Sequence, residues 1–338
     1  MQRVLLAARS FLAALAIFGA AMVSPLFAAD KVSTQSWSEL CAAAEKARKQ
    51  GDFPAVESNY SQAMEAAQKF GPHDPRFIKT TLQLCDAQML MRHFEAAENT
   101  ARKSLAARTS KFKEIEDAEL QLGLGGALFY REKYSEGLLV FSNSLQIIQR
   151  KIGPFHALTC YPLAGMGACQ AGLSNYAAAD ELFAKAIKHA STRTTQVSDT
   201  IDGGTQVESL PPDLRHLAAI MDGYGVMQLE SGRYEAAEIT LKRALSFFGN
   251  SSKSQARFNP LFNLGALKYR QKDFAAAETY LLQAREVLEK TIGLDNRFGA
   301  DTMRLLWLTY LGENKTAEAA AIEAKAKALN EKFPRNLR

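Results

Sequence analysis

Apolar and small residues recur along the chain in blocks that share one helical spacing. In each block an aromatic residue is followed three positions later by a small or short one, with an apolar or small residue at +7 and a small residue at +10. These intervals place the side chains on one face of an α-helix. The aromatic residues of the six blocks are Phe53, Phe94, Tyr134, Tyr176, Tyr234 and Phe274.

A second apolar segment precedes most of these aromatics and repeats as well. The segments 124–134, 166–176, 224–234 and 264–274 align without gaps, and each has glycine at its second position. Successive aromatics are separated by 41, 40, 42, 58 and 40 residues. A period held this closely predicts a repeated unit made of a helix A, a turn and a helix B that begins near the aromatic.

The repeated glycine predicts a close contact between the two helices of a unit. Glycine inside a helix costs about 1 kcal/mol relative to alanine, so four glycines at one repeat position need a compensating gain. We expect each glycine to face the small residue three positions after the aromatic. The glycines are Gly125, Gly167, Gly225 and Gly265, and the facing small residues are Ala97, Gly137, Ala179, Ala237 and Ala277.

The order of an apolar residue, Leu-Gly, an aromatic and then Ala, aromatic and Ala resembles the tetratricopeptide repeat, over about residues 37–332. The longer period is similar to that of kinesin light chain repeats, whose Gly-containing inter-repeat turn resembles residues 69–75, 151–157 and 291–297. This resemblance implies an all-α solenoid of helical hairpins, with about seven units, degenerate ends and a right-handed superhelix.

One interval is longer than the others, and the surplus is visible in residues 192–213. This segment is rich in Ser, Thr, Asp, Gly and Pro, which predicts a loop inserted between two units. Two interpretations stay open: a tolerated insertion, or a loop that binds a partner or regulates the protein.

The N-terminus has the pattern of a secretory signal peptide. Arg3 and Arg9 come before the uncharged apolar run 11–23, and small residues follow Pro25. We expect residues 1–29 to be removed, so that the chain begins at Ala29 or Asp30, with tails at 30–36 and 333–338. An uncleaved anchor is the alternative, although 13 apolar residues fall short of the ~20 that span a bilayer. The expected location is the periplasm or the exterior, most simply of a bacterial envelope, with no stable membrane insertion after cleavage.

Charge and candidate chemistry narrow the function classes. The 41 Lys and Arg against 36 Asp and Glu give a net charge of +5 that is dispersed along the chain, which argues against nucleic acid. The five histidines lack metal-ligand spacing, and the chain has no Gly-x-Ser-x-Gly elbow. We therefore expect no enzyme activity, no cofactor and no metal, and we expect the four cysteines to be small buried thiols.

The function expected from the resemblance is binding of a protein or peptide in a concave groove lined by the A helices. In the family, positions 2, 5, 9, 12 and 13 of helix A line that groove. Positions 5 and 9 carry no Lys or Asn here, so we expect a partly apolar groove that takes an apolar or helical segment. The alternatives are packing against adjacent helices, an enzyme site in the 192–213 loop, and self-association. The candidate partner-binding residues are Leu122, Phe129, Tyr130, Tyr161, Asp222, Phe262 and Tyr269.

Overall fold

The structure, a computed structural model, describes residues 34–108, 114–191, 212–248 and 255–333. Within these ranges the regular elements are helices, and no strand occurs, which confirms the expected all-α fold. The α-helices are α1 (Thr34–Lys49), α2 (Phe53–Ala67), α3 (Pro75–Leu90), α4 (Phe94–Ala107), α5 (Ile115–Tyr130), α6 (Tyr134–Ile152), α7 (Cys160–Gly172), α8 (Tyr176–Ser191), α9 (Pro212–Glu230), α10 (Tyr234–Ser246), α11 (Phe258–Arg270), α12 (Phe274–Thr291), α13 (Arg297–Gly312) and α14 (Thr316–Lys332).

Consecutive helices pair into hairpins, with the odd-numbered helix as helix A and the even-numbered one as helix B. The described residues form seven such hairpins, as the repeat predicts. Helices α2, α4, α6, α8, α10 and α12 begin at the six aromatics of the sequence pattern, and α14 begins at Thr316. The chain divides into two compact units, with helices α1 to α8 in the first and α9 to α14 in the second.

The turns between helix A and helix B share one backbone conformation. The residue two positions before helix B has a positive φ in all seven described hairpins, and only two of these residues are glycines. The next residue closes the turn by donating its N–H to a carbonyl five residues earlier, as from His93 to Gln88 at 2.8 Å. The residues and angles are Gly51 (73°), Arg92 (61°), Glu132 (62°), Ser174 (64°), Gly232 (77°), Lys272 (60°) and Asn314 (59°).

The repeated glycine of helix A does bring the two helices of a hairpin together, but its partner differs from the one expected. A Cβ added to Gly125 would lie 2.7 Å from the Phe141 ring, and one added to Gly265 would lie 2.7 Å from Leu281 Cγ. Both partners stand seven residues after the aromatic, rather than three. The residue at +3 contributes at most its backbone, as with the Ala277 carbonyl at 3.5 Å. The glycine therefore makes room for a large side chain.

Ion pairs join successive hairpins at a recurring place. The fifth residue of helix B is a glutamate in α4, α10 and α12, and each carboxylate pairs with a lysine of the next hairpin. Because two charged side chains are held in a fixed geometry, each pair orients neighbours more than it stabilises them. The pairs are Glu98–Lys133 (3.1 Å), Glu238–Lys268 (2.7 Å) and Glu278–Lys315 (2.5 Å).

Two helices begin inside segments that the sequence predicts to be a tail and a loop. Helix α1 begins at Thr34, so residues 34–36 of the expected N-terminal tail are helical, and α9 begins at Pro212, inside the expected loop 192–213. The predicted signal peptide 1–29, loop residues 192–211 and tail residues 334–338 lie outside the described residues. None of the described helices is both long enough and apolar enough to cross a bilayer.

Candidate functional site

Two of the predicted aromatic anchors lie inside the first unit rather than on an open surface. Tyr130 is 5% exposed, and its ring stacks on Phe94 with 4.7 Å between ring centroids and 7° between planes. Phe129 is 4% exposed and lies edge-on to Tyr130 at 5.5 Å. These rings pack helix α5 against α4, so a partner would reach them only after the hairpin has moved.

The remaining candidates are spread over both units. Leu122 and Tyr161 line one small cavity with residues of α5, α6 and α7. Asp222 is buried and accepts two hydrogen bonds from Asn263 Nδ2, at 2.9 and 3.1 Å. The structure thus brings Leu122 and Tyr161 together as lining of one space, and a partner-binding role for the seven residues stays a prediction.

The aromatic candidates of the second unit also pack against their own neighbours. Phe262 is 7% exposed and stacks on Phe258 of the same helix, with 5.7 Å between ring centroids. Tyr269 is half-buried and lies edge-to-face with Phe274 at 5.6 Å. Tyr269 therefore keeps more accessible surface than the other aromatic candidates.

A cleft of about 420 Å³ opens between helices α1 and α3 of the first unit. Its walls are the A helices of the first two hairpins, with one residue from α2, so it lies on the face that the resemblance assigns to the groove. The lining residues are Trp37, Cys41, Ala42, Glu45, Arg48, Tyr60, Lys79, Thr80, Gln83 and Asp86.

Aromatic side chains form two walls of the cleft, and hydrogen bonds fix both. The Trp37 indole Nε1 donates to Thr80 Oγ1 at 2.8 Å, and Thr80 Oγ1 in turn donates to the Arg76 carbonyl at 2.7 Å. The Tyr60 hydroxyl donates to the Glu45 carboxylate. Because each ring is held by a partner on another helix or another turn, the cleft is formed before any ligand arrives.

The arginine in the cleft is held by α1, α2 and α3 together. Arg48 Nη2 donates to Gln83 Oε1 at 2.9 Å, and Arg48 Nε lies 3.7 Å from Glu45 Oε1. The guanidinium carbon lies 5.9 Å from the centroid of the Tyr60 ring. Arg48 is thus positioned by a carboxylate, an amide and an aromatic face.

Asp86 is buried in the cleft with an unpaired carboxylate oxygen. Its side chain is 4% exposed, and Oδ2 has no hydrogen-bond partner among the described residues, which is also true of Arg48 Nε. Burial raises the pKa of Asp86 to about 7, while the nearby Arg48 cation lowers this pKa in part and the Glu45 carboxylate raises it. A buried carboxylate without a donor is unfavourable, which marks this atom as a place where a ligand donor would be stabilised.

Burial also raises the pKa values of two other titratable groups of the cleft. Burial raises the pKa of the Cys41 thiol to about 11 and also raises the pKa of the Tyr60 hydroxyl, so neither group supplies a nucleophile at neutral pH. Among the described residues, no three His, Cys, Asp or Glu side chains are grouped as metal ligands. What the cleft offers is two aromatic faces, two cations and two carboxylates.

Residues 116–191 match the tetratricopeptide repeat family model. These residues cover the third and fourth hairpins, and the same hairpin recurs through the rest of the described chain. The third and fourth hairpins are therefore tetratricopeptide repeats. No curated protein matches the sequence of the chain.

Solved structures resemble this chain at low sequence identity. The apo form of the quorum sensor NprR from B. thuringiensis is 15% identical with a TM-score of 0.51, over 88% of this chain and 76% of that one. The apo form of RapI is 11% identical with a TM-score of 0.51, over 90% and 77%. A complex of NprR with its cognate peptide NprX is 15% identical with a TM-score of 0.48, over 88% and 78%. At these identities the likeness concerns the fold.

Part of the cleft is not predicted by the sequence pattern. Positions 5 and 9 of helix A include Cys41, Glu45 and Asp86, but the charged residues Arg48 and Lys79 stand at positions 12 and 2. Inspection of positions 2 and 12 of helix A in the first two repeats identifies both residues from the sequence. At this end of the repeat the A-helix face is charged, unlike the partly apolar groove that was expected.

Proposed function

We propose that this protein is an exported tetratricopeptide repeat scaffold that binds a peptide or protein segment at the cleft between α1 and α3. The scaffold acts by binding, without catalysis of its own. The observation that carries this proposal is the buried Asp86 Oδ2, which lines the cleft without a hydrogen-bond partner in the described part of the chain.

The size and chemistry of the cleft support a binding role. Clefts of roughly 300–1,000 Å³ with aromatic walls and a few converging polar groups are typical of ligand sites. This one measures about 420 Å³ and combines the rings of Trp37 and Tyr60 with charged side chains. That volume accommodates one or two residues of a peptide, so the rest of a longer partner would extend along the A helices.

Two further observations favour a peptide partner and an exported protein. NprR, which shares the fold, is a quorum sensor with a cognate peptide, and this property suggests the class of ligand to try first. Export is inferred from Arg3, Arg9 and the apolar run 11–23, which have the order of a signal peptide.

Site-specific photocrosslinking tests the proposed site. One variant carries p-benzoylphenylalanine in place of Lys79, an exposed residue of the cleft, and a matched variant carries it in place of Leu139, which is 62% exposed on α6. Both are irradiated in the producing cells, and the crosslinked material of the exported fraction is identified by mass spectrometry. We expect peptide or protein adducts at position 79 and not at 139. Equal labelling of both positions, or adducts at 139 alone, would place binding elsewhere.

A further inference from the structure

The hydrogen bonds within the cleft leave one carboxylate oxygen and one guanidinium N–H unused. Thr80 takes the Trp37 indole N–H, Glu45 takes the Tyr60 hydroxyl, and Gln83 takes an N–H of the Arg48 guanidinium. Asp86 Oδ2 receives none of these donors, and the Arg48 Nε–H is also buried without an acceptor. Arg48 nevertheless bonds Gln83 through Nη2 and has the Glu45 carboxylate 3.7 Å from Nε. The larger unmet requirement is therefore a donor at Asp86, and a donor with positive charge would match a carboxylate best.

The surroundings of Asp86 favour a small cation. The cleft also holds the Glu45 carboxylate and the Trp37 ring, and aromatic faces attract cations, whereas the Tyr60 ring already faces the Arg48 guanidinium. Arg48 already lies near Glu45 and Gln83, so its charge is partly matched inside the protein. Lys79 is exposed to solvent, where water and salt screen its charge. A small cation with several N–H groups suits this space.

We propose that the cleft binds a primary ammonium group, either the amino terminus of a peptide or the side chain of a lysine, with Asp86 as its direct partner. This inference rests on the proposed function and specifies the chemistry of the ligand. A carboxylate ligand would meet Arg48 and Lys79 but would bring a second negative charge beside the buried Asp86, so it fits less well.

Four small probes separate the two sources of an ammonium group from their controls. Leucine amide presents only an α-ammonium group, and Nα-acetyl-lysine amide presents only a side-chain ammonium group. Nα-acetyl-leucine amide is neutral, and Nα-acetyl-leucine is a carboxylate. Binding is measured from the fluorescence of Trp37 in the purified chain with Trp307→Phe, since Trp307 is the other tryptophan and lies on α13. We expect saturable binding of one or both ammonium probes, at least about tenfold tighter than either control probe.

Variants then assign the binding to Asp86. Asp86→Asn keeps the shape of the side chain and should weaken ammonium binding at least about tenfold. Glu45→Gln removes the other carboxylate of the cleft, which is exposed and accepts the Tyr60 hydroxyl, and it should weaken ammonium binding by a smaller factor. Glu119→Gln is the matched control, because burial also raises the pKa of Glu119 to about 7 but this residue lies on α5, outside the cleft. Glu119→Gln should bind the probes as the parent does.

Some outcomes overturn the inference and leave the proposed function in place. Equal binding of the neutral or carboxylate probe, no binding of either ammonium probe, or unchanged binding by folded Asp86→Asn each contradicts the ammonium site. If photocrosslinking at position 79 still yields peptide adducts in that case, the cleft binds a partner of other chemistry. If crosslinking fails while the ammonium probes bind, the site takes a small amine and the scaffold proposal is wrong.

Discussion

Gly225 of α9 and Leu241 of α10 fit together so closely that a Cβ added to the glycine would lie 2.6 Å from Leu241 Cγ. The same contact recurs in other hairpins, where Gly167 faces Phe183 at 2.9 Å. Because real side chains do not approach this closely, any larger residue at the glycine forces the two helices apart. The contact explains why glycine is kept in the middle of helix A despite its cost there.

Substitution of Gly225 tests this contact. Gly225→Leu should lower the free energy of unfolding by several kcal/mol, about 3 or more, because overpacking displaces α10. Gly232→Ala is the control: an added Cβ there meets nothing within 4 Å, and only the positive φ of 77° opposes it, for about 1 kcal/mol. Urea unfolding followed by circular dichroism measures both. Equal effects of the two substitutions would show that the repeat register is wrong.

The unpaired Asp86 should make stability depend on pH in a defined direction. Burial raises the pKa of this carboxyl in the folded state to about 7, above its ordinary value of 3.8. The folded state therefore holds the proton more tightly than the unfolded state, so this residue destabilises the fold increasingly as the pH rises from about 4 to 7.

Asp86→Asn removes this pH-dependent contribution to the free energy of unfolding. At pH 8 the variant should be more stable than the parent by roughly 1–3 kcal/mol, and the difference should become small near pH 4. Glu65→Gln, which removes an exposed carboxylate, should change stability by less than about 0.5 kcal/mol at either pH. Urea unfolding at several pH values gives the comparison. A less stable Asp86→Asn at pH 8 would mean that the carboxylate has a partner in the folded protein.

Substitution of Tyr130 and Tyr269 distinguishes a packing role from a binding role among the predicted groove residues. Tyr130→Ala removes a ring that is 5% exposed and stacked on Phe94, so it should cost about 3 kcal/mol of folding free energy. Tyr269→Ala removes a half-buried ring and should cost about 1 kcal/mol. Thermal unfolding checks both. If Tyr130→Ala is as stable as the parent, the ring is free to serve as a surface anchor, as the sequence suggests.

The N-terminal pattern predicts where the chain begins if it is exported. Cleavage after Ala28 or Ala29 should give a protein that begins at Ala29 or Asp30, because small residues follow the apolar run there. Intact mass spectrometry of the protein from the exported fraction measures this directly. Recovery of a chain that still begins with Met1 would favour an uncleaved membrane anchor.

Much of the fold can be predicted from the sequence, because the spacing of aromatic and small side chains marks each helical hairpin. Each predicted aromatic from Phe53 to Phe274 begins a B helix, since the spacing of the helix B face starts there. The turns were harder to predict: Arg92, Glu132 and Lys272 take the left-handed conformation without being glycine. The partner of the glycine was placed at +3 instead of +7, because sequence spacing shows which positions share a face but not how deeply side chains interlock.

The cleft is harder to predict from the sequence, for a physical reason. Asp86 stands at position 9 of helix A, which the resemblance assigns to the groove. Whether its carboxylate finds a hydrogen-bond donor depends on which side chains the other helices bring near it. Trp37 and Arg48 belong to the degenerate first repeat, where the pattern is weakest, and they line one cleft with Asp86 because α1 packs beside α3. Most of the aromatic candidates do not lie on an open surface, because their rings pack against neighbouring helices.

Photocrosslinking in the presence and absence of the Asp86 carboxylate tests the central claim that the cleft is the binding site. The parent and Asp86→Asn both carry p-benzoylphenylalanine in place of Lys79, and the yield of adducts from the exported fraction is compared at equal protein. We predict peptide or protein adducts in the parent and a yield lower by about tenfold or more in Asp86→Asn, while Glu119→Gln keeps the parent yield. Equal yields in all three proteins would contradict the assignment of binding to this cleft.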